Sequence, residues 1–516
     1  MGILSGLRPE KVFYYFEEIS KIPHGSGNVE RISDYLVNFA RKRNLSVIQD
    51  ELKNVIIVQE ATPGYEDEPT VILQGHMDMV AVKKPDYDIN MKTEGLRISV
   101  RGDDIYAEGT SLGGDDGIAV AYALALLDSE ELQHPRLEIV ITVDEEVGMD
   151  GARGIDLSTL RGSRLLNLDS EEEGIFLTSC AGGACVSCKL SMGRQPARGI
   201  VCELFIGGLL GGHSGEEIHK ERGNSNSLFG RALWLLSGDC HVQLIHVEGG
   251  LADNAIPRET AARLLFPTDS AGCVKLLEQM EREVAVELGV KDPGFRMEWR
   301  FGDEAENVMA LSVGDTRRVA AMLHALPNGV QAMSADMPGL VETSLNMGIL
   351  RMKAGDNVET AGEADNAADA ETAGDTDNKM NTEAARDAVT LRAEFAVRSS
   401  VESAKVDLIE RLKAITELAG GEAEVKGMYP GWKYRADSPL RDKMIRVYKR
   451  MYGTEPEVQA IHAGLECGLL AGKIKDLDCV SIGPDMKNIH TTEETLSISS
   501  TKRVWEYLVA FLAEKD

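Results

Sequence analysis

The sequence predicts an α/β protein in which a mostly parallel central sheet, flanked by helices, is interrupted by an α+β domain. In the first 180 residues, stretches with helical periodicity alternate with short apolar runs, as in a sheet layered with helices. From about residue 188 to residue 431, glycine-rich turns, amphipathic helices and alternating strands replace that pattern. The first pattern then returns, which indicates that one domain is inserted into another.

The individual elements support this division. Helical spacing is present in VERISDYLVNFARKR and GIAVAYALALLDSEEL, and buried strands are indicated by TVILQG, RLEIVITV and RLLNLD. The inserted part contains the helix-like CVKLLEQMEREVAVELG and the strand-like VTLRAEFAV, and TKRVWEYLVAFLAEK predicts a closing helix. We therefore predict one domain formed by residues 1–187 and 432–516, and a second domain formed by residues 188–431.

Composition and charge exclude several classes of partner. The chain has 516 residues, 43% of them apolar, and a formal net charge of -29. Nucleic acids and anionic membranes both select clustered lysine and arginine, so neither is expected as the main partner. No apolar run approaches the ~20 residues of a membrane span, and no secretory signal is visible. A soluble, cytoplasmic protein is the expectation.

Residues 354–388 form an acidic, low-complexity stretch. They include ten acidic residues, two basic residues and no aromatic residue. Such a composition buries too little apolar surface to offset its ordering entropy, which predicts a disordered or loosely ordered surface insertion. An acidic docking segment is the functional alternative.

The eight cysteines predict reduced, mostly buried thiols. Cys180, Cys185 and Cys188 cluster in TSCAGGACVSCKL. A zinc knuckle is one interpretation of this cluster, but no second cluster is present to complete it, which favours a cysteine-bearing strand.

Residues able to carry chemistry stand where apolar or glycine-rich stretches end. In VILQGHMDMV, His76 and Asp78 share one face if the strand continues, because strand side chains alternate. Since ligands of open α/β sheets bind beyond the carboxyl ends of strands, groups that are distant in sequence can converge there. The further candidates are Asp115 and Asp116 in GGDDG, Glu145 and Glu146 after RLEIVITV, Asp169 after RLLNL, and His490 after DCVSIG.

Together these side chains supply the nitrogen and oxygen ligands that borderline divalent metals prefer. Two metals about 3.5–4 Å apart need a bridging ligand, and a carboxylate in a sharp glycine turn can offer one oxygen to each ion. Asp115 is the candidate for the bridge. Glu145 and Glu146 are expected to divide the roles of ligand and general base.

At this point the sequence resembles a known family. HMD, GDDG, DEEVGMDGA, the strand end at Asp169 and NIHTTEE resemble the co-catalytic dizinc dipeptidases, aminoacylases and carboxypeptidases. Within them, KIPHGSGN, IHAGLECG and YPGWKYRADSP resemble the aminoacyl-histidine (Xaa-His) dipeptidases. The resemblance implies a catalytic domain at 1–187 and 432–516, and a lid that binds substrate at 188–431. It also implies two Zn²⁺ ions, for which Co²⁺ or Mn²⁺ could substitute.

The resemblance implies a role for each residue at the metal site. Asp78 would orient His76 and Glu145 would be the general base and acid. The peptide bond after the bridging aspartate would be cis. Asp116 has no role that the sequence assigns. The implied ligands are His76 and Asp169 for one ion, Glu146 and His490 for the other, and Asp115 for both.

The implied substrates are dipeptides of the Xaa-His type, such as β-alanyl-histidine. His213 in GGHSG would polarise the substrate carbonyl, and Arg398 would bind a C-terminal carboxylate. Asn254 would also bind substrate, and His462 and Glu466 would shape the pocket. A homodimer is implied as well.

Other functions remain open at this stage. GTSLG matches a nucleophile elbow with Ser111, although the mixed stretch DDIYAE precedes it instead of an apolar strand. A broader aminopeptidase or tripeptidase and an N-acyl amino acid hydrolase are alternatives within the family. A non-catalytic peptide-binding protein would not need the metal ligands and base that this chain retains.

Overall fold

A computed structural model describes residues 2–268, 271–354 and 388–516. The chain forms two compact units. The discontinuous unit consists of Met1–Cys180 and Pro430–Asp516, and the inserted unit is Ala181–Tyr429. Residues 355–387, which hold nearly all of the acidic stretch, lie outside the described residues, so the surface insertion stays a prediction.

The first part of the discontinuous unit alternates strands and helices. Its elements are α1 (Glu10–Ser20), α2 (Glu30–Lys42), β1 (Ser46–Gln49), β2 (Val55–Gln59), β3 (Val71–His76), β4 (Ile98–Arg101), β5 (Asp104–Ala107), α3 (Gly114–Leu127), β6 (Leu137–Thr142), α4 (Asp150–Gly154), β7 (Arg164–Asn167) and β8 (Ile175–Cys180).

The inserted unit is built around one long strand. Its elements are β9 (Gly182–Gly207), β10 (Gly212–His213), a 3₁₀ turn (Ile218–Lys220), α5 (Ser225–Asp239), β11 (Gln243–Gly249), β12 (Ala255–Ile256), β13 (Thr260–Phe266), α6 (Ala271–Leu288), β14 (Arg296–Leu311), α7 (Val313–Ala325), β15 (Gly329–Met333), β16 (Val341–Ala354), β17 (Ala388–Ser399), α8 (Glu402–Leu418) and β18 (Glu422–Tyr429).

The last part returns to the discontinuous unit. Its elements are α9 (Pro439–Tyr452), β19 (Glu457–Ile461), α10 (Glu466–Lys473), β20 (Asp478–Ser481), β21 (Met486–Lys487), β22 (Thr495–Ser497) and α11 (Ile498–Ala513). None of the helices in the described ranges combines the length and apolar character that a membrane span requires.

The discontinuous unit confirms the predicted α/β class and its mostly parallel central sheet. The strand order is β1-β2-β6-β3-β7-β20-β8-β19. The pairs β6–β3, β3–β7, β7–β20 and β8–β19 are parallel, whereas β1–β2, β2–β6 and β20–β8 are antiparallel. The apolar runs that identified the parallel strands are the buried central ones. Strands nearer the edges leave a weaker sequence pattern.

Both faces of this sheet are covered. Neighbouring residues of β3 enter different apolar cores, Leu73 with the α1 and α3 side chains and Ile72 with the α10 side chains. All residues of β3 and β6 are buried, as expected for strands between two helical layers. The parallel pairing of His76 with Thr142 aligns the carboxyl ends of β3 and β6 at one edge.

The inserted unit has an antiparallel sheet in the order β11-β13-β9-β17-β16-β15, with β14 and β18 also paired to β9. Helices α5 to α7 and α8 contribute apolar side chains to its core, including Phe229, Leu323 and Leu412. The predicted boundary at 187/188 falls inside β9, because the apolar stretch TSCAGGACVSCKL runs from one unit into the other without a change in composition. The catalytic and lid roles of the two units stay predictions.

The cysteines differ from the prediction in one respect. Cys240 and Cys273, 33 residues apart, form a disulfide in the inserted unit, whereas the other six thiols are free. Nothing in the sequence spacing marks this pair, because packing between α5 and α6 brings it together. Cys180 belongs to the discontinuous unit and Cys185 to β9 of the inserted unit. Among the described residues, the groups that could hold a metal ion contain histidine, aspartate and glutamate and no cysteine.

Candidate metal centre

The centre begins at the end of β3, where a buried strand delivers His76 to the edge of the sheet. The His76 side chain is 1% exposed. Gly75, the residue before it, lies against Asp116 and Ala119 of α3, and a Cβ at this position would collide with both. The glycine therefore lets α3 start directly over the strand that carries the histidine.

Both nitrogens of His76 have acidic or carbonyl partners. Nε2 lies 3.2 Å from Asp115 Oδ1 and 3.4 Å from Asp169 Oδ1. Burial lowers the pKa of His76, yet Asp169 and Asp115 outweigh it and raise that pKa well above its ordinary value. The Asp169 carboxylate follows β7, and burial raises its pKa to about 6.

Asp78 lies beside His76, but its carboxylate is not the nearest partner of the imidazole. Nδ1 of His76 is 2.9 Å from the main-chain carbonyl oxygen of Asp78 and 3.5 Å from its Oδ1. The carboxylate instead accepts hydrogen bonds from the Ser26 hydroxyl at 2.8 Å and from the Glu145 N–H at 3.1 Å. Asp78 thus contacts His76 most closely through its main-chain carbonyl oxygen and Glu145 through its carboxylate, and its role in orienting His76 stays a prediction.

Asp115 lies at the middle of the centre. It belongs to a glycine turn that opens α3, with Gly113 at φ +68° and a cis peptide bond between Asp115 and Asp116. Its Oδ1 contacts His76, and its Oδ2 lies 3.1 Å from Nε2 of His490. Burial raises the pKa of Asp115, but both imidazoles outweigh it and hold that pKa well below its usual range. One carboxylate therefore joins two histidines from distant parts of the chain.

The second histidine, His490, follows β21 and contacts the carboxylate of Glu146. Glu146 Oε1 lies 3.0 Å from Nε2 of His490. Hydrogen bonds with Asp115 and Glu146 raise the pKa of His490 to about 10. Glu145 is adjacent, and burial, with Asp169 and Glu466 nearby, raises the pKa of its carboxyl well above the ordinary value.

These contacts define two donor sets that share Asp115, one with His76 and Asp169 and one with His490 and Glu146. The second set has ligand atoms within 4.8 Å of one another. Imidazole nitrogen and carboxylate oxygen are the donors that zinc, cobalt and manganese accept, so the residues fit divalent metal ions. His76 also groups with Asp116 and Asp169, which makes Asp116 a rival for the shared position.

Asp116 has a structural explanation that the sequence did not supply. Its Oδ2 accepts the backbone N–H of His76 at 3.1 Å, and its Oδ1 is buried without a hydrogen-bond partner among the described residues. Burial, with Asp169 nearby, raises the pKa of this carboxyl well above its ordinary value. Through the His76 N–H, Asp116 packs the start of α3 against β3.

Glu466 and His462, predicted to shape a pocket, are both buried. Glu466 accepts hydrogen bonds from Gln74 Nε2 and Thr142 Oγ1, each at 2.5 Å, and burial raises its pKa to about 8. It therefore lies beneath the strands that carry the ligands. Its role in binding substrate stays a prediction.

The inserted unit holds the remaining candidates. His213 pairs with Ala255 across β10 and β12, next to Asn254, and both candidates line a cavity of about 900 Å³ within this unit. Burial and the charge of Arg398 lower the pKa of His213. Arg398, near the end of β17, has a buried Nε without a hydrogen-bond partner among the described residues.

Ser111 is not placed as a nucleophile. Its side chain is fully buried, and its hydroxyl donates to the carbonyl oxygen of Val80 at 2.7 Å. The hydroxyl also accepts the Val82 N–H at 3.2 Å, so it ties two backbone segments together. The match to a nucleophile elbow is a turn with a structural serine.

Comparison with known proteins identifies the family of this chain. Residues 72–514 match peptidase family M20/M25/M40. The cytosol non-specific dipeptidase of Escherichia coli strain K12 is 35% identical over 518 residues, covering 100% of this chain and 99% of the relative. The aminoacylhistidine dipeptidase of Vibrio alginolyticus superposes with a TM-score of 0.86 at 33% identity, over 99% of this chain and 98% of that one.

A more distant structure shares the fold. The aminopeptidase PepT of Bacillus cereus gives a TM-score of 0.58 at 17% identity, with 98% of each chain covered. The family match spans both parts of the discontinuous unit and the unit between them. This chain belongs to peptidase family M20/M25/M40, a family of metal-dependent hydrolases.

Proposed function

We propose that this protein hydrolyses dipeptides at a centre of two divalent metal ions. The observation that carries the proposal is the Asp115 carboxylate, which has one oxygen toward His76 and the other toward His490. A bridging carboxylate between two imidazole ligands is what two closely spaced ions require. The full-length likeness to a dipeptidase supports peptide bonds as the substrate.

In this proposal His76 and Asp169 hold one ion, Glu146 and His490 the other, and Asp115 both. Zinc is the proposed metal, with cobalt or manganese as substitutes. When bound, the ions would supply Lewis-acid activation of water and of the substrate carbonyl.

Glu145 moves the proton in this scheme. It takes a proton from the attacking water and returns it to the leaving amine, which completes hydrolysis without net consumption of the acid. The direction of its pKa shift suits this double role, because burial raises the pKa of Glu145 and makes its carboxylate a better proton acceptor than an ordinary glutamate. The Asp78 carboxylate supports the base by accepting the Glu145 N–H.

The inserted unit supplies substrate contacts in this proposal. His213 stabilises the developing oxyanion and Arg398 binds the C-terminal carboxylate of the dipeptide. Asn254 binds the substrate backbone, and His462 and Glu466 shape the end of the pocket. We further propose that the protein is cytoplasmic and forms a homodimer. Sedimentation of the purified protein tests the homodimer.

A panel of substrates tests the activity and its range. β-Alanyl-histidine and other Xaa-His dipeptides are expected to be hydrolysed, whereas their N-acylated and C-amidated forms lose most of kcat/KM because the charged termini are recognised. Comparison with dipeptides that lack histidine separates an Xaa-His enzyme from a broad dipeptidase. Equal turnover of free and blocked substrates would contradict the dipeptidase proposal.

The metal-free protein is expected to lose stability as pH rises from about 6.5 to about 10. The pKa of His490 is raised from 6.5 to about 10 and that of Glu466 from 4.5 to about 8, so the folded state binds more protons than the unfolded state in this window. The free energy of unfolding therefore falls as these protons are lost. Urea denaturation of chelator-treated protein at several pH values measures this.

Two additions sharpen the pH experiment. Glu466→Gln is expected to make the decline between about pH 6.5 and 8 shallower, because only His490 then contributes there, and to leave the part between pH 8 and 10 unchanged. Added Zn²⁺ should stabilise more at high pH, because metal ligands must be deprotonated. A metal-free stability that is constant or rises across the window would contradict the assignment.

A further inference from the structure

A second carboxylate, that of Glu494, lies on the other side of the turn that carries Asp115. Glu494 is buried, with 3% of its surface exposed. Oε2 accepts the backbone N–H groups of Leu112 at 2.8 Å and Gly113 at 3.2 Å. Oε1 accepts those of Gly114 at 2.8 Å and Asp115 at 3.4 Å. Four consecutive backbone donors therefore converge on one side chain.

This turn depends on an external acceptor. The backbone is non-helical at Asp115 and Asp116, so residues 112–115 form an irregular turn before the regular part of α3, and the N-cap residue, Gly113, has no side chain that could accept their N–H groups. Residues Gly113 and Gly114 lack side chains that would hold the turn. A Cβ on Gly114 would lie 3.3 Å from Glu494 Oε1, so glycine there admits the carboxylate. Glu494 accepts the N–H groups that no residue of the turn itself accepts.

Glu494 and His490 act on the same residue from one short segment. His490 contacts Oδ2 of Asp115, and four positions later Glu494 contacts the Asp115 backbone. The segment between them is folded on itself, since Thr491 accepts the Glu494 N–H at 3.3 Å through its carbonyl oxygen. Residues 490–494 therefore contact both the side chain and the main chain of Asp115.

We propose that Glu494 is a positioning residue of the metal centre, which holds the turn 112–115 so that both oxygens of Asp115 face their histidines. The inference rests on the proposed metal centre. A charged acceptor suits this task because it binds several N–H groups more strongly than a neutral one. Removing it leaves four donors in a buried place without their partner.

Metal binding by the full-length protein tests this. Glu494→Gln keeps the size of the side chain but points an amide NH₂ at two backbone donors. Metal-free Glu494→Gln is expected to bind Zn²⁺ and Co²⁺ roughly 10–100-fold more weakly than the parent, as when partners of metal ligands are removed. The visible absorption of bound Co²⁺ should shift, and kcat should fall while KM stays within a factor of about two, because the substrate contacts are unchanged.

The adjacent residue gives a matched control. Glu493 pairs with Lys84 at 2.6 Å, and its side chain is 65% exposed. Glu493→Gln removes the same charge one position away, and is expected to leave metal affinity, the Co²⁺ spectrum and kcat unchanged. Glu494→Asp retains the charge on a shorter side chain, and should recover part of the affinity lost in Glu494→Gln.

The outcomes separate this inference from the proposed function. Parent metal affinity and an unchanged Co²⁺ spectrum in folded Glu494→Gln would overturn the inference. If Glu494→Gln does not fold, the same measurements are made on Glu494→Asp. If neither variant folds, Glu494 is needed for folding, and the inference that it positions Asp115 is overturned. A parent that binds two ions yet cleaves no dipeptide would remove the proposed function and leave the role of Glu494 intact.

Discussion

Glu145→Gln is expected to lower kcat by roughly 10²–10⁴-fold, the range that a general base contributes, while the protein still binds its metal ions. Glutamine has nearly the same shape but cannot accept the proton of the attacking water. The Glu145 N–H that Asp78 accepts is unaffected by the change, so the backbone should stay in place. Metal content by atomic emission and steady-state kinetics on a dipeptide measure the two effects separately.

The neighbouring glutamate provides the comparison. Glu146 contacts His490 at 3.0 Å and is the proposed ligand, so Glu146→Gln should lower metal content as well as kcat. The two substitutions are chemically identical and one residue apart. Equal metal loss in both variants, or full activity in Glu145→Gln, would show that the roles of these residues are assigned wrongly.

Asp115→Asn is expected to reduce the bound metal to at most one ion per chain and to lower kcat by roughly 10³-fold or more, since metal activation supplies several kcal/mol and each 1.4 kcal/mol is tenfold. The variant keeps one acceptor oxygen and replaces the other by an NH₂ group, so it cannot bridge two cations. Zn²⁺ titration of the metal-free variant, followed by assay at saturating metal, measures both losses.

Asp116→Asn is the control for that experiment. Burial raises the pKa of Asp116 and favours its protonated form, which asparagine imitates with an oxygen still available to the His76 N–H. We expect parent metal content and nearly parent activity. If instead Asp116→Asn loses metal and Asp115→Asn does not, Asp116 is the shared ligand.

The clustering of the candidate ligands followed from a simple rule of sheet architecture. His76 ends a buried parallel strand, Glu146 and Asp169 follow two others, and the carboxyl ends of such strands meet at one edge. The alternation of helices and apolar runs likewise predicted the α/β class. Local patterns suffice where strand order and burial alone determine the position of a side chain.

Other parts of the site depend on backbone contacts that leave no local pattern. The nearest partner of His76 Nδ1 is a main-chain carbonyl, and residue types do not indicate which carbonyl will face an imidazole. The sequence does not distinguish Glu494 from other acidic residues, because the four N–H groups that it accepts lie about 380 residues earlier. The Cys240–Cys273 disulfide was missed because helix packing, and not sequence spacing, brings the two cysteines together.

The division of one unit around another has a consequence for biosynthesis. A ribosome releases His76, Asp115, Glu146 and Asp169 early, but His490 and Glu494 emerge only after all of residues 181–429 have been translated. The nascent polypeptide thus carries an unfinished centre during most of its synthesis. A translation product that stops before residue 490 lacks one histidine and the support of the Asp115 turn, and such a fragment should be inert.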